Sequence, residues 1–280
     1  MSGSKIRNIA IVSLLLVNIV FLTVIVVDAL EYAQAEREAI ENVSAILRAG
    51  GITIDTEVIR SSETIATMRT ARVVEAEATI ARALLGETTI TDQGGGIYLY
   101  ENPARGVAEF YSGGDFEIRL IDGAVTSAGS AAGTVQSLLR EMELETTQIT
   151  AAVDAETSAE IVTAVVAYRG LSIFNCTIDF VFSGDSLIRV EGRYVAGIEP
   201  SNDGIVISQV NSALIRFMAA VRDESREEVV CTEIFAVESG FRHRVVGSFG
   251  EGVIDPVWLI TTDNGRFLFD DLTGETWQMG

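Results

Sequence analysis

The feature that most constrains this 280-residue chain is one apolar run, Ile9 to Val27, close to its start. The run holds 19 residues and no charge. At about 1.5 Å per helical residue it is long enough to cross a hydrocarbon core of ~30 Å. Lys5 and Arg7 precede it, and Asp28, Glu31 and Glu36 follow. Basic residues on that side put the N-terminus in the cytoplasm by the positive-inside rule. The expectation is therefore a short cytoplasmic tail (1–8), a single transmembrane helix (9–27), and a bulk that is extracytoplasmic at the cell membrane. A cleaved signal peptide is the competing reading. Its apolar core is normally about 7–15 residues, ending at a small-residue site. Here the nearest such site, Val27-Asp28-Ala29, carries an acid, so an uncleaved anchor is expected. Asn18 sits in mid-run, where a hydrogen bond to a neighbouring helix is worth about 0.6–2 kcal/mol. Leu14, Asn18, Phe21 and Ile25 form the face expected to meet a partner helix.

Composition narrows the partners. The net charge is −20, and every basic residue except Lys5 is an arginine. So acidic a chain is repelled by phosphate backbones, which excludes nucleic acid. An apolar content of 48% excludes global disorder. Cys176 and Cys231 match no metal-ligand spacing. One disulfide and two separate buried thiols both remain open.

Past the run, Leu30, Ala33, Ile40, Val43 and Leu47 recur at helical steps up to Gly50-Gly51, which reads as a helical stalk over 28–50. Three further helices are expected. One starts near Ser62, with Ile65, Met68, Ala76, Ile80 and Leu84 on a face and Gly86 as its stop. Another starts near Gly133 with Val135, Leu138, Leu139 and Met142, and a third near Val206 with Val210, Leu214, Phe217 and Val221. Short strands follow each. Phe174, Cys176, Ile178, Phe180 and Phe182 alternate with Asn175, Thr177, Asp179 and Val181, then turn at Ser183-Gly184-Asp185 into Ile188, Val190 and Tyr194. Period-two alternation of this kind means an antiparallel hairpin with one buried face. A second hairpin is expected at Asp263-Asn264-Gly265. The fold class expected is α+β: the anchor and stalk, then about three helix-plus-antiparallel-meander units. They divide into subdomains over 51–150 and 151–280.

The search for chemistry returns little. The single histidine, His243, lies between Arg242 and Arg244 and is expected to be exposed and structurally neutral rather than a general base. No Gly-x-Ser-x-Gly elbow is present. Gly94-Gly95-Gly96 lacks the ending of a phosphate loop. The acidic groups Asp270, Asp271 and Glu275, and Asp154, Glu156 and Glu160, lack calcium-loop spacing and read as solvated turns. Asn42-Val43-Ser44 and Asn175-Cys176-Thr177 match the short glycosylation pattern. No catalytic residue, cofactor or metal is expected.

Several segments carry a resemblance. Tyr168-Arg169-Gly170-Leu171-Ser172-Ile173-Phe174-Asn175, followed by Ile188-Arg189-Val190-Glu191-Gly192, resembles the YycI-type proteins of the YycH/YycI family. Ala213-Leu214 with Phe217, Glu238-Ser239-Gly240-Phe241, Pro256 to Gly265 and Thr273-Gly274-Glu275 stand in the same order as that family's later elements. The closing hairpin is also similar to PepSY domains. Ser172 and Phe241 replace a proline and a tyrosine of the family pattern. The resemblance covers the anchor and roughly 160–277. It implies a membrane-anchored extracytoplasmic accessory protein of a Gram-positive bacterium that modulates a two-component sensor histidine kinase in cell-wall homeostasis by protein–protein contact. A YycH-like paralogous partner is implied beside it. The alternative is a PepSY-like binding or inhibitory module for a peptide, lipid or protease; a third reading is an unrecognised cell-wall hydrolase.

Overall fold

The computed structural model describes residues 3–279 except 60–64, 128, 202–205, 208, 223–230 and 248–249, and leaves undescribed the side chains of 3–13, 28, 29, 32, 33 and 36. Helix α1 (Gly3–Ala49) leads to strands β1 (Thr53–Ile54) and β2 (Met68–Thr70). Helix α2 (Val74–Leu85) precedes β3 (Thr89–Gly94), β4 (Ile97–Asn102), β5 (Gly106–Phe110) and β6 (Asp115–Leu120). Helix α3 (Ala131–Glu141) precedes β7 (Thr146–Val153), β8 (Glu160–Tyr168), β9 (Leu171–Ser183), β10 (Ser186–Arg193) and β11 (Glu199–Pro200). Helix α4 (Val210–Val221) precedes β12 (Glu233–Val245), β13 (Gly252–Thr262), β14 (Gly265–Phe269) and β15 (Thr276–Met279).

Local sequence explains the helices. In α2, Ile80, Ala81, Leu84 and Leu85 are buried on one stripe, with Glu75 and Glu77 in the first turn and Arg82 in the last, as the helix dipole prefers. Gly86 ends it at φ +70, its N–H donating to the Arg82 carbonyl. Ser130 caps α3 by accepting from the Gly133 N–H at 3.1 Å. In α4, Val210, Ala213, Leu214 and Phe217 are buried at three- and four-residue steps, and Phe217 meets Phe269 edge-on at 5.7 Å.

The strands join into one mixed sheet in the order β11-β2-β13-β12-β9-β10-β6-β5-β4-β3, with β7 and β8 continuing from β9, β14 and β15 from β13, and β1 beside β12. Most pairs are antiparallel. The exceptions are β1 with β12 and β9 with β12, the latter through the single pair Phe241↔Ile173. Alternation along β9 buries Phe174, Cys176, Ile178, Phe180 and Phe182, and Ser186↔Ser183 closes its hairpin with β10.

Four expectations need correction. The strands do not form separate small units. Each meander alone would end in an edge of unpaired N–H and C=O groups. Here β10 pairs with β6 and β9 with β12, so among the described residues the edges join into one sheet of fifteen strands. The stalk over 28–50 is not a separate element either. It belongs to α1, whose last turns bury Val43, Ser44 and Leu47 against the core beside α4 and β1. Thirdly, among the described residues no helix is long and apolar enough to cross a membrane. The apolar side chains described run from Leu14 to Val27, about 21 Å of helix against the ~30 Å a crossing needs. The side chains of 9–13 lie outside the description. The transmembrane helix over 9–27, and the single-pass cell-membrane and extracytoplasmic placement built on it, are thereby overturned.

The helix expected from Ser62 is also displaced. Ser62 lies outside the described residues, Met68 is in β2, and the helix begins at Val74. Its apolar steps continued upstream by coincidence of spacing, because Met68 is buried from a strand and Ile65 from the non-helical segment before it.

Candidate functional site

Polar side chains concentrate where β2 and β12 approach the end of the β5–β6 hairpin. Glu77, on the otherwise apolar face of α2, has no exposed surface. Arg72 holds it with Nε at 2.6 Å from Oε1 and a second guanidinium nitrogen at 3.1 Å from Oε2. The Tyr194 hydroxyl donates to Oε1 at 2.9 Å. Arg72 also donates to the Gly96 carbonyl at 2.5 Å and lies 4.7 Å over the Tyr98 ring. Burial disfavours the Arg72 charge, but the hydrogen bond and charge of Glu77 outweigh it and hold the guanidinium's pKa up. Burial, then Glu77, pushes Tyr100 up to about 12 and raises Tyr194 further. Tyr194 closes over the hairpin turn, its N–H donating to Gly114 and its ring meeting Phe110 and Phe116 at 6.1 Å.

Beside this clamp lies His243, on β12. Contrary to expectation it is buried, at 6% exposure. Its Nε2 is 3.4 Å from the Thr70 hydroxyl, and Nδ1 is buried with no partner among the described residues. Burial, reinforced by Arg193 and opposed by Asp115, pushes its pKa down to about 4 and keeps the ring neutral. Arg193 and Asp115 pair through two hydrogen bonds of 2.8 Å. Asn175 of β9 donates to the His243 carbonyl at 2.8 Å and accepts its N–H at 2.7 Å. That amide extends the one-residue β9–β12 pairing, so the Asn175-Cys176-Thr177 pattern is occupied by structure. A cavity of about 20 Å³ between Thr70, Arg72, Ser112, Tyr194, His243 and Gly250 has room for one water-sized molecule.

This arrangement fastens elements together. Its acid, Glu77, is paired with Arg72 and Tyr194, and burial keeps His243 neutral and its tyrosines protonated near neutral pH. Cys176 and Cys231 are free, buried thiols, with burial pushing them up to about 12 and about 11. Among the described residues no group of three or more His, Cys, Asp or Glu could hold a metal ion. Asp154 accepts from Glu156 and Thr157 in one turn, and Asp270 accepts from Leu272 and Thr273 in another. Asp271 is buried.

The residues singled out for partner contact lie on α1. Leu14, Phe21 and Ile25 are 63–65% exposed, and Asn18 is exposed between them. Their 4-3-4 spacing aligns them along one helix face. Sequence reasoning missed the Glu77 clamp. Its signal was present: an acid three, four and seven residues before Ile80, Ala81 and Leu84, on the face that must be buried.

No family model matches the chain, and no curated protein matches it. A solved structure of an uncharacterized protein from Eubacterium rectale ATCC 33656 is similar over 82% of this chain and 90% of that one, at a TM-score of 0.45 and 10% identity.

Proposed function

We propose that this chain is a regulatory accessory protein that acts by protein–protein contact, with a sensor histidine kinase as the partner its sequence resemblance points to. One observation carries the reading. Along α1 the described side chains from Leu14 to Val27 include twelve large apolar residues that are all exposed. Isolated exposed apolar residues are ordinary, but a contiguous patch of this kind marks a surface that something covers. Asn18 sits within it and supplies one polar anchor that fixes the register of a packed helix. Further support comes from the resembling segments. They are scattered between 168 and 275 in sequence; those at 171–175, 188–192, 238–241 and 256–262 fall on the mutually adjacent strands β9, β10, β12 and β13, while Ala213, Leu214 and Phe217 lie on α4.

The test is recovery of a histidine kinase with the tagged full-length chain from its native cells, and autophosphorylation of that kinase with and without the purified chain. The reading expects recovery and a change in rate. It expects Asn18→Leu, or Ala at Leu14, Phe21 and Ile25 together, to weaken recovery at least tenfold while the melting temperature holds. A kinase that is not recovered, or whose rate is indifferent to the chain, sinks the proposal.

A further inference from the structure

Edge strands normally carry protection against pairing with foreign chains: charge, proline, a bulge or shortness. Among the described strands that pair on one side alone, β1 and β11 have two residues each, β15 has four, and β3 carries Asp92 and a register break beside Gly94. Strand β7 differs. It has eight residues, Thr146–Val153, and pairs only with β8. Its sequence, Thr-Thr-Gln-Ile-Thr-Ala-Ala-Val, has neither charge nor proline, in a chain where 21% of residues are charged. Six of its eight residues are exposed, and Val153 is 68% exposed. Its register break, between Thr146 and Gln148, lies at the start and leaves the remaining edge regular.

A groove of about 470 Å³ lies between this strand and α3. Its apolar wall is Leu139, Leu144 and Ile149, with Gln136 and Thr147 beside them. Arg140 is the one charged residue among the described residues lining it. It is exposed, has no carboxylate partner among the described residues, and is a cation within an acidic protein. A free strand edge beside a helix, with Thr147 and Ile149 at alternate positions of β7 lining a groove that is part apolar and part polar, is the geometry of strand addition. We infer that β7 and α3 form a docking site for an extended peptide segment of a partner, which adds as a strand to β7. The segment carries apolar side chains at alternate positions toward Leu139, Leu144 and Ile149, and a carboxylate that meets Arg140. This inference goes beyond the contact role of α1 and does not depend on which protein supplies the segment.

The probe is a pool of ten-residue peptides with apolar or β-branched residues at alternate positions. It is prepared with a free C-terminal carboxylate, with a C-terminal amide, and as the amide with one internal glutamate. Binding to the full-length protein is read by fluorescence anisotropy. A carboxylate form is expected to bind at least tenfold tighter than the plain amide, and which form does so distinguishes a chain end from an acidic side chain. Arg140→Glu should abolish that preference. Backbone N–H groups along β7 alternate between β8 and solvent, so one of Ala151→Pro and Ala152→Pro removes only a solvent-facing donor. That variant keeps the wild-type melting temperature and loses at least tenfold in peptide affinity. The inference is overturned by equal affinity for all three forms, by no binding of any form, or by binding that survives both proline variants. It is also overturned by a wild-type dimer that the fold-neutral proline variant dissolves, which would make a second copy of this chain the occupant.

Discussion

Glu77 has no exposed surface and Arg72 is its ionic partner. Two charges removed from water stabilise little as a pair, but either one left alone is costly. Glu77→Ala is therefore expected to lower unfolding stability by about 3–5 kcal/mol in a denaturant titration, while Glu77→Leu with Arg72→Met recovers most of it. An equal loss in the single and double variants would mean that the clamp's value lies in its charges. His243 gives a pH signature. Its folded pKa of about 4 lies below the ordinary 6.5, because burial penalises the imidazolium. Between those values the unfolded chain binds a proton that the folded chain refuses. Stability is thus fully present above about pH 6.5 and falls as pH drops toward 4, by at most about 3 kcal/mol. Denaturant midpoints from pH 7 to 4 should show this slope in the wild type and a shallower one in His243→Gln. Parallel curves would assign the slope to other groups.

At the level of elements, the seam between β9 and β12 rests on one backbone pair and one amide. Asn175→Ala leaves the His243 N–H and C=O unsatisfied, and is expected to destabilise by about 2–4 kcal/mol. Faster hydrogen exchange at β12 than at β10 would locate the damage, and exchange unchanged at both would show that Asn175 is dispensable. The alternation of β9 was legible because burial of one face imposes period two. Gly192 was also legible as part of a motif, but its reason was not. A Cβ there would collide with the Thr177 carbonyl oxygen of the neighbouring strand, just as one at Gly240 would lie 2.5 Å from Phe174 Cε2. The second hairpin turns at Asp263-Asn264 and leaves the positive φ to Gly265 at +115. The helix start near Ser62 failed because Ile65 and Met68 fit three-residue spacing, while Met68 is buried in a strand paired with β13 and Ile65 in a non-helical segment whose carbonyl accepts from the Ile207 N–H. Spacing alone cannot distinguish those cases.

For the whole molecule, burial among the described side chains of α1 begins near Ile40 and becomes complete at Leu47. A chain lacking residues 1–38 is expected to keep its melting temperature within ~3 °C, whereas Leu47→Ala costs about 2–5 kcal/mol. A large drop on truncation would mean that the upstream part of α1 is also packed. By itself the sequence determined the period-two alternation of β9 and the hairpins at Ser183-Gly184-Asp185 and Asp263-Asn264-Gly265. These follow from periodicity and turn chemistry, which act over a few residues. Only the tertiary structure decided that the meanders merge at β6–β10 and β9–β12. Only there did His243 become buried, Glu77 meet Arg72 and Tyr194, and β7 remain an uncharged edge beside α3. The physical reason is that strand edges and buried charges are satisfied by groups distant in the chain, and no local spacing records which group that will be.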